Sequence, residues 1–246
     1  MNELNVLKRF LSFPISSTEE IFEEFKTIKG HVFSEESNKG KKRFLYVEGR
    51  SENKVILVAH ADTYFDIVYG YSKKTNILLD EGDIWRAVDE NGKPQLLGAD
   101  DRAGLAMLWL LKDSGHSLLV TDGEERGRVG STYLMNENFD ISNAINLKHQ
   151  FMIQLDRRND RDYKCYDVGT YEFRNFIETQ TDFSEPNRSS YTDICTLCRD
   201  ICGVNFSIGY MNEHGVNETL NISQWLNTYD ILTKLLSKEY LPKFSL

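Results

Sequence analysis

The stretch Val55-Ile56-Leu57-Val58-Ala59-His60-Ala61-Asp62 decides the fold. Its first five residues are apolar without alternation and several are β-branched, so the strand they form must be covered on both faces. Such a strand belongs inside a sheet sandwiched between helices. The run then stops at a histidine and an aspartate. Two further short runs, Ser117 to Thr121 and Phe151 to Leu155, also end on acids, at Asp122-Gly123-Glu124-Glu125 and at Asp156.

Between these runs, Arg102 to Lys112 carries Ala103, Leu105, Ala106, Leu108, Trp109, Leu110 and Leu111, the pattern of a helix buried over most of its surface. Towards the N-terminus, Leu4, Leu7, Leu11 and then Ile21, Phe22, Phe25 mark two short helices. Pro14 separates them, with Ser16, Ser17 and Thr18 as capping candidates. Ile222 to Leu236 is amphipathic and closes the chain as a helix. The segment Asn76 to Gln95, with Asp80-Glu81-Gly82-Asp83 and Glu90-Asn91-Gly92-Lys93-Pro94, reads as a polar hairpin or loop excursion. Strands alternating with helices predict a three-layer α/β/α sandwich around a mostly parallel mixed sheet. The 246 residues, 40% of them hydrophobic, suffice for one core. With no repeat or linker in view, residues 1–246 are expected to form a single domain.

The net charge of -9 argues against nucleic acid or an anionic membrane face as the main partner, since either repels the chain at long range. No run approaches the roughly 18 apolar residues of a membrane span. The opening residues lack a secretory pattern, so a cytoplasmic location is expected. The four cysteines are read as reduced: Cys165 stands alone, while Cys195, Cys198 and Cys202 follow i, i+3, i+7 spacing and read as buried apolar side chains of one helical face. His31, His116 and His149 show no partner pattern and read as surface residues, and the run Lys39 to Arg43 as a solvated loop.

Ligands of open α/β sheets bind at the carboxyl ends of the strands. Here every such position is acidic or histidine: His60 and Asp62, Asp100 and Asp101 ahead of the buried helix, Asp122, Glu124 and Glu125, and Asp156. One acid past a strand is commonly a helix cap or a solvated charge. Several converging on one sheet edge repel one another unless cations neutralise them. Mixed imidazole and carboxylate donors suit Zn²⁺, and also Mn²⁺ or Co²⁺.

His60-Ala61-Asp62, Gly98-Ala99-Asp100-Asp101-Arg102-Ala103-Gly104, Asp122-Gly123-Glu124-Glu125-Arg126-Gly127, Leu155-Asp156 and Glu213-His214-Gly215-Val216-Asn217-Glu218 together resemble the ordered motifs of the co-catalytic, dinuclear zinc exopeptidases. The resemblance runs from about Leu4 to Leu236. It implies that His60, Asp100 and Asp156 hold one divalent metal ion and Asp100, Glu125 and His214 the other, with Asp100 bridging. It also implies that Asp62 orients His60, that Glu124 is the general base, and that the Asp100–Asp101 peptide is cis. Only 57 residues lie between Asp156 and His214, too few for the lid or dimerisation domain that some members insert there. The single-domain branch of the clan is therefore the closer match. Tyr191-Thr192-Asp193-Ile194 leading to Cys202-Gly203-Val204 resembles that branch's Ser-Asp-His helix and following strand, with Ile194 in place of the histidine. Asp rather than Glu at position 156 leans towards an aminopeptidase acting on short peptides. An N-acyl amino acid deacylase uses the same metals and base and stays open, as does a non-catalytic binding module on the same fold. Tyr210 and Tyr191 are candidates for stabilising the oxyanion.

Overall fold

The apolar run becomes strand β3 (Ile56–His60), buried along its whole length, in a computed structural model that describes residues 2–15, 18–30, 32–36, 43–64, 77–187 and 190–246. The other strands are β1 (Val32–Glu36), β2 (Arg43–Val47), β4 (Ile77–Glu81), β5 (Ile84–Val88), β6 (Pro94–Gln95), β7 (Ser117–Thr121), β8 (Met152–Arg157), β9 (Tyr163–Lys164), β10 (Gly203–Ser207), β11 (Tyr210–Met211) and β12 (Thr219–Asn221). The helices are α1 (Glu3–Leu11), α2 (Thr18–Lys26), α3 (Ala99–Leu110), α4 (Val129–Glu137), α5 (Phe139–Lys148), α6 (Tyr171–Thr181), α7 (Ile194–Leu197) and α8 (Ile222–Leu236).

The main sheet has seven strands in the order β1-β2-β7-β3-β8-β10-β9. Its central four run parallel, and β1, β2 and β9 add antiparallel edges, which is the mixed sheet expected from the sequence. Strand pleating divides the core in two. Leu45, Leu57, Ala59, Leu118, Val120, Ile153 and Leu155 face α1, α2, α3 and α8, whereas Phe44, Tyr46, Ile56, Val58, Leu119 and Met152 face α4, α5 and α7. Each side chain of the Leu57 kind, removed completely from water, contributes on the order of 2 kcal/mol by transfer alone. Trp225 ties α8 to α3 by donating its indole N–H to the Ala103 carbonyl at 3.0 Å. Gly104 allows α3 to cross β8 closely, since a methyl there would run into Asp101 Oδ1 and the Leu155 carbonyl.

The polar excursion is more ordered than a loop. β4 and β5 form a hairpin that joins β12 and β11 in a second, small sheet ordered β11-β12-β5-β4, with β6 against β5 and Trp85 buried on its inner face. This sheet holds the turn between β11 and β12, from which His214 projects. Among the described residues, no helix is long and apolar enough to cross a membrane.

Several expectations need correction. His116 and His149 are buried: His116 Nδ1 accepts from the Val55 N–H at 3.2 Å and its Nε2 donates to the Leu236 carbonyl at 2.9 Å, while His149 Nδ1 donates to the Ile145 carbonyl at 2.9 Å. Helix packing over the strand ends, which local pattern does not reveal, encloses them. His31 and residues 39–42 lie outside the described residues. Arg43 is not solvated; it pairs with Asp122 at 3.2 Å and Glu19 at 2.6 Å. Helix α7 is only four residues long, so Cys202 lies beyond it and the three cysteines do not share a helical face. All four thiols are free, and Cys165, Cys198 and Cys202 are buried. Ser16 and Ser17, read as caps, fall outside the described residues.

Candidate metal centre

All five histidine and acid positions singled out as ligands meet at the carboxyl edge of the parallel strands. His60 ends β3, Asp156 is the penultimate residue of β8, and Glu125 lies in the turn after β7. Asp100 sits in the non-helical first turn of α3, next to a cis Asp100–Asp101 peptide, and His214 takes a left-handed conformation, φ 67°, between β11 and β12. Two groups result, His60 with Asp100 and Asp156, and Asp100 with Glu125 and His214, the donor atoms within each lying within 4.8 Å of one another. Asp100 belongs to both. Its Oδ1 is 3.1 Å from His60 Nε2, and its Oδ2 is 3.1 Å from His214 Nε2. Asp156 Oδ1 lies 3.5 Å from His60 Nε2, and Glu125 Oε1 3.0 Å from His214 Nε2.

Each candidate ligand but His214 is fixed by a polar side chain acting on its main chain. The Asp101 carboxylate accepts the His60 N–H at 3.0 Å and the Gly104 N–H at 3.2 Å. Glu218 accepts the N–H groups of Gly98 at 2.6 Å and Asp100 at 3.0 Å. Asp62 meets His60 chiefly through its backbone carbonyl, which accepts from Nδ1–H at 2.9 Å; its Oδ1 is 3.4 Å away. The Asp62 carboxylate instead gathers the N–H groups of Gly123, Glu124 and Glu125 at 2.7, 3.0 and 3.2 Å, which sets the turn that carries Glu124 and Glu125. Asn205 grips Asp156 at both ends, accepting its N–H at 3.0 Å and donating to its carbonyl at 2.6 Å. Asp156 Oδ2 accepts from Gln154 at 3.0 Å and Thr192 at 2.8 Å, which leaves Oδ1 towards His60. Tyr210 donates to that Oδ1 at 3.2 Å, so its hydroxyl is already engaged. His214 is half exposed and its ring stacks on Tyr64 with centroids 4.4 Å apart.

The sequence reading assigned no role to Asp101, Glu218, Gln154 or Asn205. Gln154 and Asn205 carried a usable signal, since each is the one amide in its strand, with apolar residues directly on either side. Such a group stays buried only if it is hydrogen-bonded.

The donor set fits divalent cations. With its Nδ1 proton committed to a carbonyl, His60 presents Nε2 to two carboxylate oxygens, and Glu125 Oε1 is buried without a hydrogen bond although an imidazole nitrogen stands 3.0 Å away. Atoms that are all acceptors converge in this way around a cation or a proton. Without a cation the cluster must retain protons. Burial first, then repulsion from Asp156, Asp193 and Asp100, pushes the Glu124 carboxyl up to about 10, and burial with Asp100 brings Glu125 to about 7. Burial opposes charging His214, but its contacts with Asp100 and Glu125 outweigh this and raise it to about 11. Metal ions displace such protons, because the ligands bind deprotonated.

A cavity of about 150 Å³ opens over the cluster. Asp100, Glu124, Glu125, Asp156 and His214 line one side; Arg157, Arg158, Tyr166, Ser190 and Tyr191 are among the residues lining the rest.

No family model and no curated protein sequence matches the chain. Solved structures do. The aminopeptidase PepT of Bacillus cereus aligns over 96% of this chain and 98% of its own, with 11% identity and a TM-score of 0.66. A tripeptidase of Staphylococcus aureus aligns over 97% and 100%, at 14% identity and a TM-score of 0.65. The TET1 peptidase of Pyrococcus horikoshii aligns over 96% and 99%, at 12% identity and a TM-score of 0.61. The chain thus has the α/β fold of these peptidases, in keeping with the resemblance seen in its motifs.

Proposed function

We propose that this chain is a dinuclear metal-dependent hydrolase of amide bonds, an aminopeptidase acting on short peptides, and that residues 1–246 form its one catalytic domain. The observation that carries the reading is the Asp100 carboxylate, whose two oxygens face two separate histidine and carboxylate clusters. His60, Asp100 and Asp156 would hold one ion and Asp100, Glu125 and His214 the other, Zn²⁺ first among the candidates and Mn²⁺ or Co²⁺ compatible with the same donors. When bound, the pair supplies Lewis acidity towards the scissile carbonyl and the attacking water. Glu124 lines the cavity beside the ligands. It takes the proton of the attacking water as the new C–O bond forms and delivers it to the amine as the C–N bond breaks. Asp62 keeps Glu124 in place through the backbone of the turn. Of Tyr191 and Tyr210, the one whose hydroxyl is left for an oxyanion is Tyr191, exposed at the cavity rim, because Tyr210 is bound to Asp156. Asp at 156 and the peptidase fold favour a peptide over an N-acyl amino acid.

Elemental analysis after Zn²⁺ loading tests the metal part: about two ions per chain in the wild type and a marked loss in Asp100→Ala are expected. Glu124→Gln should keep both ions and lose peptide turnover. Turnover surviving in that variant refutes the assignment of the base.

A further inference from the structure

The cavity has an end that the proposed chemistry does not use, and its key residue is Arg157. This residue follows the ligand Asp156 directly, lines the cavity and is only 7% exposed. Its Nε makes no hydrogen bond. Among the described residues Arg157 has one ion pair, with Asp162 at 3.6 Å, which is longer than a hydrogen bond and shares its carboxylate oxygen with Asn159 at 2.7 Å. A guanidinium brings five N–H donors, and burying it with donors unmet is expensive. Arg158 lines the cavity too, but it is spoken for by Glu213 at 2.6 Å. Tyr166 places a hydroxyl on the same wall.

From this arrangement we propose that Arg157 is a specificity residue that receives a carboxylate of the substrate. The proposal rests on the peptidase reading above. A carboxylate is the planar two-oxygen partner that a guanidinium binds through paired hydrogen bonds, a match that lysine does not reproduce. Arg157 lines the same cavity of about 150 Å³ as Asp100, Glu124, Glu125, Asp156 and His214, so a carboxylate held by Arg157 shares the pocket in which the bond is cleaved. The favoured substrates are therefore very short peptides whose C-terminal carboxylate reaches the cavity. An acidic side chain on a longer peptide offers the same chemistry.

The test compares three peptides on the zinc-loaded enzyme: Leu-Gly-Gly, its C-terminal amide, and the amide of Leu-Glu-Gly. Leu-Gly-Gly should exceed its amide in kcat/KM by roughly tenfold or more, the worth of a hydrogen bond to a charged group. Arg157→Gln should bring that ratio close to one with metal content unchanged, and Arg157→Lys should restore only part of it. Recovery of rate in the Leu-Glu-Gly amide would locate the carboxylate on a side chain and still support the subsite. Equal rates on acid and amide in the wild type overturn the proposal, and that comparison needs no variant to fold. If no peptide is cleaved, the functional reading fails instead. Calorimetric binding of Leu-Gly-Gly against its amide then decides the subsite separately, with equal affinities counting against it.

Discussion

Replacing Asn205 by alanine removes both hydrogen bonds that hold the main chain of Asp156, at 3.0 and 2.6 Å, from a site that is 1% exposed. A buried backbone group left unsatisfied costs about 1–3 kcal/mol, so with two such groups the loss in unfolding free energy should be about 2–6 kcal/mol, read by urea denaturation in chelator. The consequence for metal is separate. Groups that orient ligands are typically worth 10- to 100-fold in metal affinity, and Asn205→Ala should weaken zinc binding by about that factor in a competition titration with a chromophoric chelator. Asn205→Asp is a sharper probe: it keeps an acceptor for the Asp156 N–H but sets an oxygen against the Asp156 carbonyl. It should bind zinc at least as poorly as the alanine variant. An alanine variant that loses stability yet binds zinc within twofold of wild type would refute the reasoning, reducing Asn205 to a strand filler.

Other expectations concern pH. Burial lowers the His149 imidazole to about 4 from 6.5, so the unfolded chain takes up the proton first. This contribution, up to about 3 kcal/mol, is intact above pH 6.5 and lost as the pH falls towards 4; His149→Gln should flatten the fall in urea midpoint between pH 7 and 4.5, and an unchanged slope would contradict it. In the centre the sign is opposite. Burial raises Glu125 to about 7 and Glu218 to about 8, so the metal-free fold binds protons that the unfolded chain has released, and loses stability as the pH rises through those values. The rise in Tm on adding zinc, measured by calorimetry, should therefore be larger at pH 8 than at pH 6, and the reverse order would show that the cluster is not charged in the way described.

The core of this fold was legible because its central elements are extreme. β3 and β7 are apolar on both faces, and α3 is apolar on nearly all sides, so period and length left one solution. The ligand positions followed, since strand ends are where such a sheet presents its chemistry. The edges were not legible. β1 is an edge strand that pairs with β2 alone, and the small sheet is built from strands of two to five residues whose partners are distant: β5 meets β12 through Trp85 and Leu220. Pairings of that kind leave no local period. The hydrogen-bonding carboxylates of Asp101 and Glu218 were read only as parts of motifs, because a buried acid that receives backbone N–H groups looks in sequence like any loop acid.

The strand pairing of the centre also has a consequence for biosynthesis. β3 pairs with β8, joining Ile56 to Met152, and the last of the candidate ligands, His214, comes from the turn between β11 and β12. A nascent chain that has exposed only His60 and Asp100 lacks Asp156, the strand beside β3 and the Asn205 that steadies it. The first cluster cannot close before Asp156 has been made, nor the second before His214. A chain released before residue 214 thus carries its acids without the histidine that completes the second cluster.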